Sequence, residues 1–357
     1  MEYKKEDFIE YDIHTGTIEF KDPTEERQNE LLEQFQKLLK VVLPEQRSPE
    51  WYAMRKNMLT ASDFGAIMGD SKYSNVTKVI LKKCGHGKPF KGNSATQWGV
   101  KYEEIATRFY EMLYDVKITE FGCMPHSKYS YVGASPDGIS NKAVMLEIKC
   151  PPMRKITGEV PKHYWHQMQG QLEVCELDRC DFLECKINEY KTDFMEDDKE
   201  KYLNSKHKFK GSVIEYYDEE GKICYIYSKF RINEEELNRW ELENIKNITE
   251  SKNKKLKDIT YWYLDHYSCV PVYKDETWFP KALIKFTETW NKIKYLRLSK
   301  SNLKKFTEEI KRKTEEKREK RIKKYKSMTL MEYLKSSDDF EDVVRFEKVD
   351  YCFSDDD

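Results

Sequence analysis

Ser135-Pro136-Asp137-Gly138, followed by Val144-Met145-Leu146-Glu147-Ile148-Lys149-Cys150-Pro151-Pro152, concentrates the chemistry of the chain. The alternation predicts a strand at about 143–149, preceded by another at about 129–133 and joined to it through the 135–138 turn. Val144, Leu146 and Ile148 face one way, and Met145, Glu147 and Lys149 face the other. Asp137 in the turn and Glu147 with Lys149 on the strand then gather two carboxylates and one amine at the open end of a hairpin. Hard oxygen donors of this kind suit Mg²⁺ or Mn²⁺. The Ile148 carbonyl can add a ligand while its side chain enters the core. Lys149 beside a metal and its water can lower the pKa of that water or steady charge growing on a phosphate. An exposed Glu-Lys pair on a solvated strand is the plain alternative. Against it, the strand runs apolar into Glu147, which predicts a central position, and Pro151-Pro152 ends it just after Lys149. Charges placed where a buried strand emerges usually have a task.

Upstream, Leu31, Phe35, Leu38 and Leu39 mark an amphipathic helix behind a polar, strand-like start. Ser48 reads as the N-cap of a helix with Pro49 in its first turn, and Thr60-Ala61-Ser62-Asp63-Phe64 as the cap of a second short one. Residues 82–93, rich in Gly and Lys, read as a loop. A long helix from about 96 to 114 carries Trp98, Tyr102, Ile105, Phe109 and Leu113 at helical spacing. Gly99, Glu103, Ala106 and Tyr110 run beside them. Downstream come a helix near 162–174, a strand at 181–187, a hairpin in 213–232 around Glu219-Glu220-Gly221, and helices at 234–248 and 277–297. The order is mixed α/β with no internal repeat.

The 357 residues are 39% hydrophobic and 13% aromatic, with 24 Tyr and 17 Phe, enough for a sizeable core. Charged residues reach 36% yet sum to -1, so only local charge bears on nucleic acid. No apolar run approaches the roughly 18 residues of a membrane span, and the acidic, polar start is unlike a secretory signal. The nine cysteines are scattered without a Cys-x-x-Cys pair, which argues against a zinc ribbon and fits free thiols in a reducing, intracellular compartment. Residues 300–326 are strongly basic and 336–357 acidic. They read either as a solvated helix and tail or as a phosphate-binding arm whose acidic tail competes with nucleic acid.

The motifs resemble those of the lambda-exonuclease or YqaJ-type viral recombination nucleases, within the restriction-endonuclease-like PD-(D/E)xK superfamily. Besides Ser135–Gly138 and Leu146–Pro151, Arg47-Ser48-Pro49-Glu50-Trp51 with Arg55 and Thr60-Ala61-Ser62-Asp63 resembles the N-terminal motif of that family. Trp98-Gly99-Val100-Lys101-Tyr102-Glu103 resembles its helical motif, and Tyr164-Trp165-His166-Gln167-Met168-Gln169 its Tyr-x-x-Gln-x-Gln helix. The resemblance spans about 47–187 and implies a central mixed sheet flanked by helices. It implies Asp137 and Glu147 as metal ligands with the Ile148 carbonyl assisting, Glu103 as a further acidic residue at the metal, and Lys149 as the catalytic lysine. Gly99 and Ala106 would let the helix of Glu103 approach the sheet, and Gln167 would orient near the metal or scissile phosphate. Arg55 and Ser62 would hold DNA phosphates. Arg154 and Lys155 are candidates by position for gripping a terminal 5′-phosphate.

The activity so implied is Mg²⁺-dependent digestion of double-stranded DNA from a 5′ end, leaving 3′ single strands for recombination or repair. A single-strand annealing protein is the implied partner, an oligomer is admitted, and a viral origin would place the enzyme in host cytoplasm or nucleus. The expected organisation is a helical extension at 1–45, a nuclease domain at 46–298, a basic helical segment at 299–335 and an acidic tail at 336–357. A structure-selective endonuclease of the same superfamily is the nearest competitor, because the core motifs do not encode polarity. A catalytically silent DNA-binding scaffold has no need of Asp137, Glu147 and Lys149 together. An iron–sulfur nuclease needs a Cys cluster that this chain lacks.

Overall fold

The apolar run into Glu147 becomes a short buried strand, Met145–Lys149, third of seven in the main sheet. The computed structural model describes residues 6–14, 20–46, 48–86, 93–191 and 195–326. The chain begins with helices α1 (Glu6–Ile9), α2 (Glu25–Leu38) and α3 (Pro49–Lys56), strand β1 (Leu59–Thr60), and helices α4 (Ala61–Met68), α5 (Val76–Lys83) and α6 (Ser94–Tyr114). Short strands β2 (Ile118–Thr119), β3 (Met124–Pro125), β4 (Val132–Ala134) and β5 (Gly138–Ser140) lead into β6 (Met145–Lys149). Then come α7 (Lys162–Cys175), β7 (Arg179–Glu189), α8 (Met195–Asn204), β8 (Lys210–Tyr217), β9 (Ile223–Tyr227), α9 (Glu234–Thr249) and β10 (Lys255–Tyr273). Helices α10 (Trp278–Arg297) and α11 (Lys300–Lys326) complete the described chain.

The main sheet has the order β2-β5-β6-β7-β10-β8-β9, and β1-β4-β3 form a smaller one. Strands β6 and β7 are parallel, with Glu147 opposite Phe182 and Lys149 opposite Glu184; the other pairings of the main sheet are antiparallel. This is the mixed sheet flanked by helices that the motifs imply. The alternation in β6 divides two cores. Met145 and Phe182 pack with Phe64 of α4, Met168 and Leu172 of α7, and Phe286 of α10. Leu146, Ile148 and Leu183 pack on the other face with Tyr102, Ile105, Ala106 and Phe109 of α6. Complete burial of side chains this large stabilises by about 1.5–3 kcal/mol each, so the sandwich holds β6 firmly. The α4–α7 crossing is very close. A Cβ on Gly170 would lie 2.1 Å from Phe64 Cε2, so any larger residue there would displace the Phe64 ring or part α7 from α4.

Several local expectations hold. Ser48 caps α3, accepting from Trp51 N, with Pro49 in the first turn. Gly221, at φ 77°, makes the β8–β9 turn. Others need correction. The hairpin partner of β6 is β5, not the strand before the Asp137 turn; that strand, β4, starts later than expected and belongs to the smaller sheet. The Asp137 turn therefore carries the chain from one sheet to the other. Where the start is described, Glu6–Ile9 form a helix rather than a strand, and Phe8 and Tyr11 bury against Phe209. Lys82 and Lys83 belong to helix α5, where Val79, Ile80 and Leu81 are buried. Leu39 lies past the end of α2 and is exposed. Nothing approaches Gly99 within 4 Å of a built Cβ, so it permits no close contact; buried Ala106 faces the sheet instead. The acidic 336–357 segment lies outside the described residues.

Candidate active site

Glu147 has no exposed surface, and its carboxylate is held from three sides. Gln167 Nε2 donates to its Oε1 at 2.7 Å, Gln171 Nε2 donates to its Oε2 at 2.7 Å, and Lys149 Nζ lies 2.8 Å from Oε1. Both glutamines are on α7 one turn apart, so they share a face, and the close α4–α7 packing presses that face onto β6. Gln171 Nε2 also reaches the Ser135 carbonyl at 3.3 Å, tying Glu147 to the turn that carries Asp137. The Lys149 ammonium sits 5.0 Å from the centre of the Tyr164 ring, a second hold on its position.

Asp137 Oδ2 accepts the Ile148 backbone N–H at 2.6 Å, so the turn is bonded directly to the strand of Glu147 and Lys149. Part of Asp137 reaches the surface, but its carboxyl is crowded by protein. Burial raises its pKa well above the usual carboxylate range, and the neighbouring charges of Glu147 and Glu103 add to this while Lys149 opposes it. Glu103 comes from α6, on the opposite layer to Gln167, and its charge acts on both Asp137 and Cys150 at the end of β6. Asp137 and Glu147 thus stand together where β6 ends, within reach of the charge of Glu103 from the α6 layer.

The residues fit a hard divalent cation. Asp137 and Glu147 supply oxygen donors from two elements, and Glu103 adds to a negative field that Lys149 alone does not balance. Among the described residues, no three His, Cys, Asp or Glu side chains stand close enough together to hold a metal ion by themselves. The backbone offers a further donor, because the Ile148 carbonyl lies on the same strand as Glu147.

Arg55 and Ser62 are brought together beside this centre. Arg55 Nη2 donates to Ser62 Oγ at 3.3 Å and Nη1 to Ser135 Oγ at 3.2 Å, with the guanidinium 4.3 Å from the Trp51 ring centre. A buried brace supports them. Lys83 Nζ donates to the Arg55 carbonyl at 3.0 Å and pairs with Asp63 at 2.8 Å, while Asp63 accepts the Thr60 N–H and hydroxyl. The N-cap of α4 is Thr60, which leaves the Ser62 hydroxyl to Arg55 and Thr60. Arg154 pairs with Glu184 on β7, and Lys155 beside it is exposed. Gln171 and Glu184 escaped the sequence reading. Gln171 carried a signal, lying four residues after Gln167 and so on the same helix face. Glu184 carried none, because only the β6–β7 register shows which way it points.

The YqaJ-like viral recombinase domain family matches residues 50–178. An uncharacterized protein of Acanthamoeba polyphaga mimivirus is 32% identical over 311 residues, covering 75% of this chain and 56% of that protein. A protein of African swine fever virus is 26% identical over 162 residues, covering 37% of this chain and 46% of its own. The chain thus spans about half the length of these relatives. Among solved structures, an alkaline exonuclease from Laribacter hongkongensis aligns at 20% identity and a TM-score of 0.42, over 72% of this chain and 100% of that one. Asp137, Glu147, Lys149, Glu103, Gln167, Arg55 and Ser62 all fall inside residues 50–178, the segment that matches the YqaJ-like viral recombinase domain family.

Proposed function

We propose that the chain is a divalent-metal-dependent deoxyribonuclease that digests double-stranded DNA from a 5′ end and leaves a 3′ single strand for recombination or repair. The observation that carries this reading is the meeting of Asp137, Glu147 and Lys149 at the end of β6, with Gln167 and Gln171 fixing both oxygens of Glu147. A buried carboxylate given two amide donors and a lysine is preorganised rather than merely tolerated.

A bound Mg²⁺ or Mn²⁺ would supply an activated water and polarise the phosphate. Asp137 and Glu147 would hold it, with the Ile148 carbonyl assisting and Glu103 contributing through its charge. The chain supplies the rest. Lys149 stands beside Glu147, where an ammonium can steady the charge that builds on a phosphate oxygen as its ester bond breaks. Gln167 keeps Glu147 turned toward that place. Arg55 and Ser62 present a fork of N–H donors and one hydroxyl from a braced corner, suited to the phosphate backbone of the bound strand. Arg154 and Lys155 add positive charge at the loop after β6. A single-strand annealing protein is the partner such a product calls for, and a virus-infected cell the setting. Among the described residues, no helix is long and apolar enough to cross a membrane.

The test is a digestion time course. Linear duplexes labelled at either end are compared with covalently closed circles, with Mg²⁺ and with chelator. Loss of the 5′ label as mononucleotides, intact circles and silence in chelator are expected. Rapid nicking of circles would replace the exonuclease with a structure-selective endonuclease, and full activity in chelator would remove the metal site altogether.

A further inference from the structure

Glu184 is an expensive residue. It lies on β7 directly across from Lys149, its side chain has no exposed surface, and its Oε2 has no hydrogen-bond partner. Burial raises its pKa, against the pull of Arg154. An unmatched buried carboxylate oxygen opposes folding, so stability does not explain it. Its partner explains more. Glu184 Oε1 accepts from Arg154 Nη2, and two residues along the same strand Lys186 Nζ donates to the Pro152 carbonyl. The loop that follows β6 is thus fastened to β7 at two points, and Arg154 is left with 32% of its side chain exposed. Burial, and after it the charges of Lys149, Arg154, Lys72 and His166, press the pKa of His163, at the start of α7, down to about 4.

We propose that Glu184 is a positioning residue, which from the floor of the site holds the Arg154 guanidinium at its mouth to take a DNA backbone phosphate next to the one over Lys149. This rests on the DNA-cleaving reading above. The carboxylate engages one amino group of the guanidinium, Nη2, and leaves the other N–H donors of the fork for a second anion. The sign of the effect is diagnostic. Removing a negative charge from a DNA-binding surface ordinarily tightens binding, whereas loss of a positioning residue weakens it.

The measurement is equilibrium binding of a short labelled duplex in chelator, where no cleavage occurs, across a range of salt. Arg154→Ala is expected to weaken binding and flatten the log–log salt slope by about 0.9, one phosphate contact. Glu184→Ala is expected to weaken binding about fivefold, roughly one hydrogen bond, despite the lost negative charge. Glu184→Gln keeps shape and acceptor oxygen, folds as wild type, and should bind within about twofold of it. In the Arg154→Ala background, Glu184→Ala should do nothing further. Tighter or unchanged binding by Glu184→Ala, or an equal loss without Arg154, overturns the proposal; if Glu184→Ala does not fold, Glu184→Gln binding tighter than wild type overturns it instead. Wild-type protein that neither binds nor cuts the duplex would refute the DNA reading itself, and the positioning role with it.

Discussion

Gln171 offers a clean separation of folding from function. Gln171→Met keeps the length and unbranched shape of the side chain but removes its amide. Glu147 Oε2 then loses a 2.7 Å donor, and the Ser135 carbonyl loses a weaker one. A hydrogen bond to a charged group contributes about 1.5–3 kcal/mol. Folding does not bear that whole loss, because Gln171 Oε1 is itself buried without a partner, and its removal returns about 1–3 kcal/mol. The two effects nearly cancel, so the melting temperature should stay close to wild type. Function has no such offset. Freed on one side, Glu147 no longer points at a fixed place. At about 1.4 kcal/mol per tenfold, the Mg²⁺ midpoint should rise about 10- to 100-fold, the usual scale for a lost partner of a metal ligand. The assay is initial rate on an end-labelled duplex against Mg²⁺ concentration, with calorimetric Mn²⁺ binding as an activity-free readout. A midpoint within twofold of wild type, or tighter Mn²⁺ binding, would show that the amide merely competes for the carboxylate and would refute the clamp.

Other expectations follow from the same contacts. Asp137→Asn, which keeps an acceptor for the Ile148 N–H, and Lys149→Ala should each lower cleavage by about 10²-fold or more. Asp137→Asn should melt at or above the wild-type temperature, since its repulsion with Glu147 disappears; normal cutting by either variant would place the active centre elsewhere. His163 stays neutral in the fold down to about 4, whereas unfolded histidine takes its proton near ~6.5. The unfolded chain therefore binds more protons in that window, and stability should fall as pH is lowered from ~6.5 to about 4. His163→Phe should flatten this part of the melting-temperature curve, although His166, also shifted down by burial, keeps some slope; an unaltered curve would exclude His163 as the source. On exposed α11, replacing Lys311, Arg318 and Lys320 with Glu should weaken duplex binding and flatten its salt dependence without changing the rate at saturating DNA. Unchanged affinity and slope would leave α11 a solvated helix, held by pairs such as Arg312 with Glu316 and Lys313 with Glu309.

What was legible in the sequence depended on how local its cause is. The β6 alternation, the caps at Ser48 and Thr60 and the stripe of α6 are set by near neighbours, and the structure keeps them. Gln167 was visible through its motif, and it does meet Glu147. The partner of β6 was misread because the turn at Asp137 looks like a hairpin turn, whereas the real reversal occurs at Ala143, a non-glycine residue at φ 58° that nothing in the sequence marks. Glycine in a helix suggests a contact point, but only the neighbours of Gly99 in space show that it faces open room. Glu184, and the Lys83–Asp63 brace behind Arg55, depend on strand register and helix packing between distant segments. No periodicity within a segment carries that information.

The bond from the Ile148 N–H to Asp137 has a consequence for coordination number. One oxygen of Asp137 is turned to the strand, and both oxygens of Glu147 are turned to amides and Lys149. Neither carboxylate is disposed to chelate an ion with both oxygens. A six-coordinate ion would then take only a minority of its shell from the protein and draw the remainder from water and DNA. Such a centre would be completed by its substrate. Metal and DNA should each raise the affinity for the other by the same factor, as linkage requires. Ca²⁺, which wants six to eight oxygens and a looser cage, would fill the place without organising it.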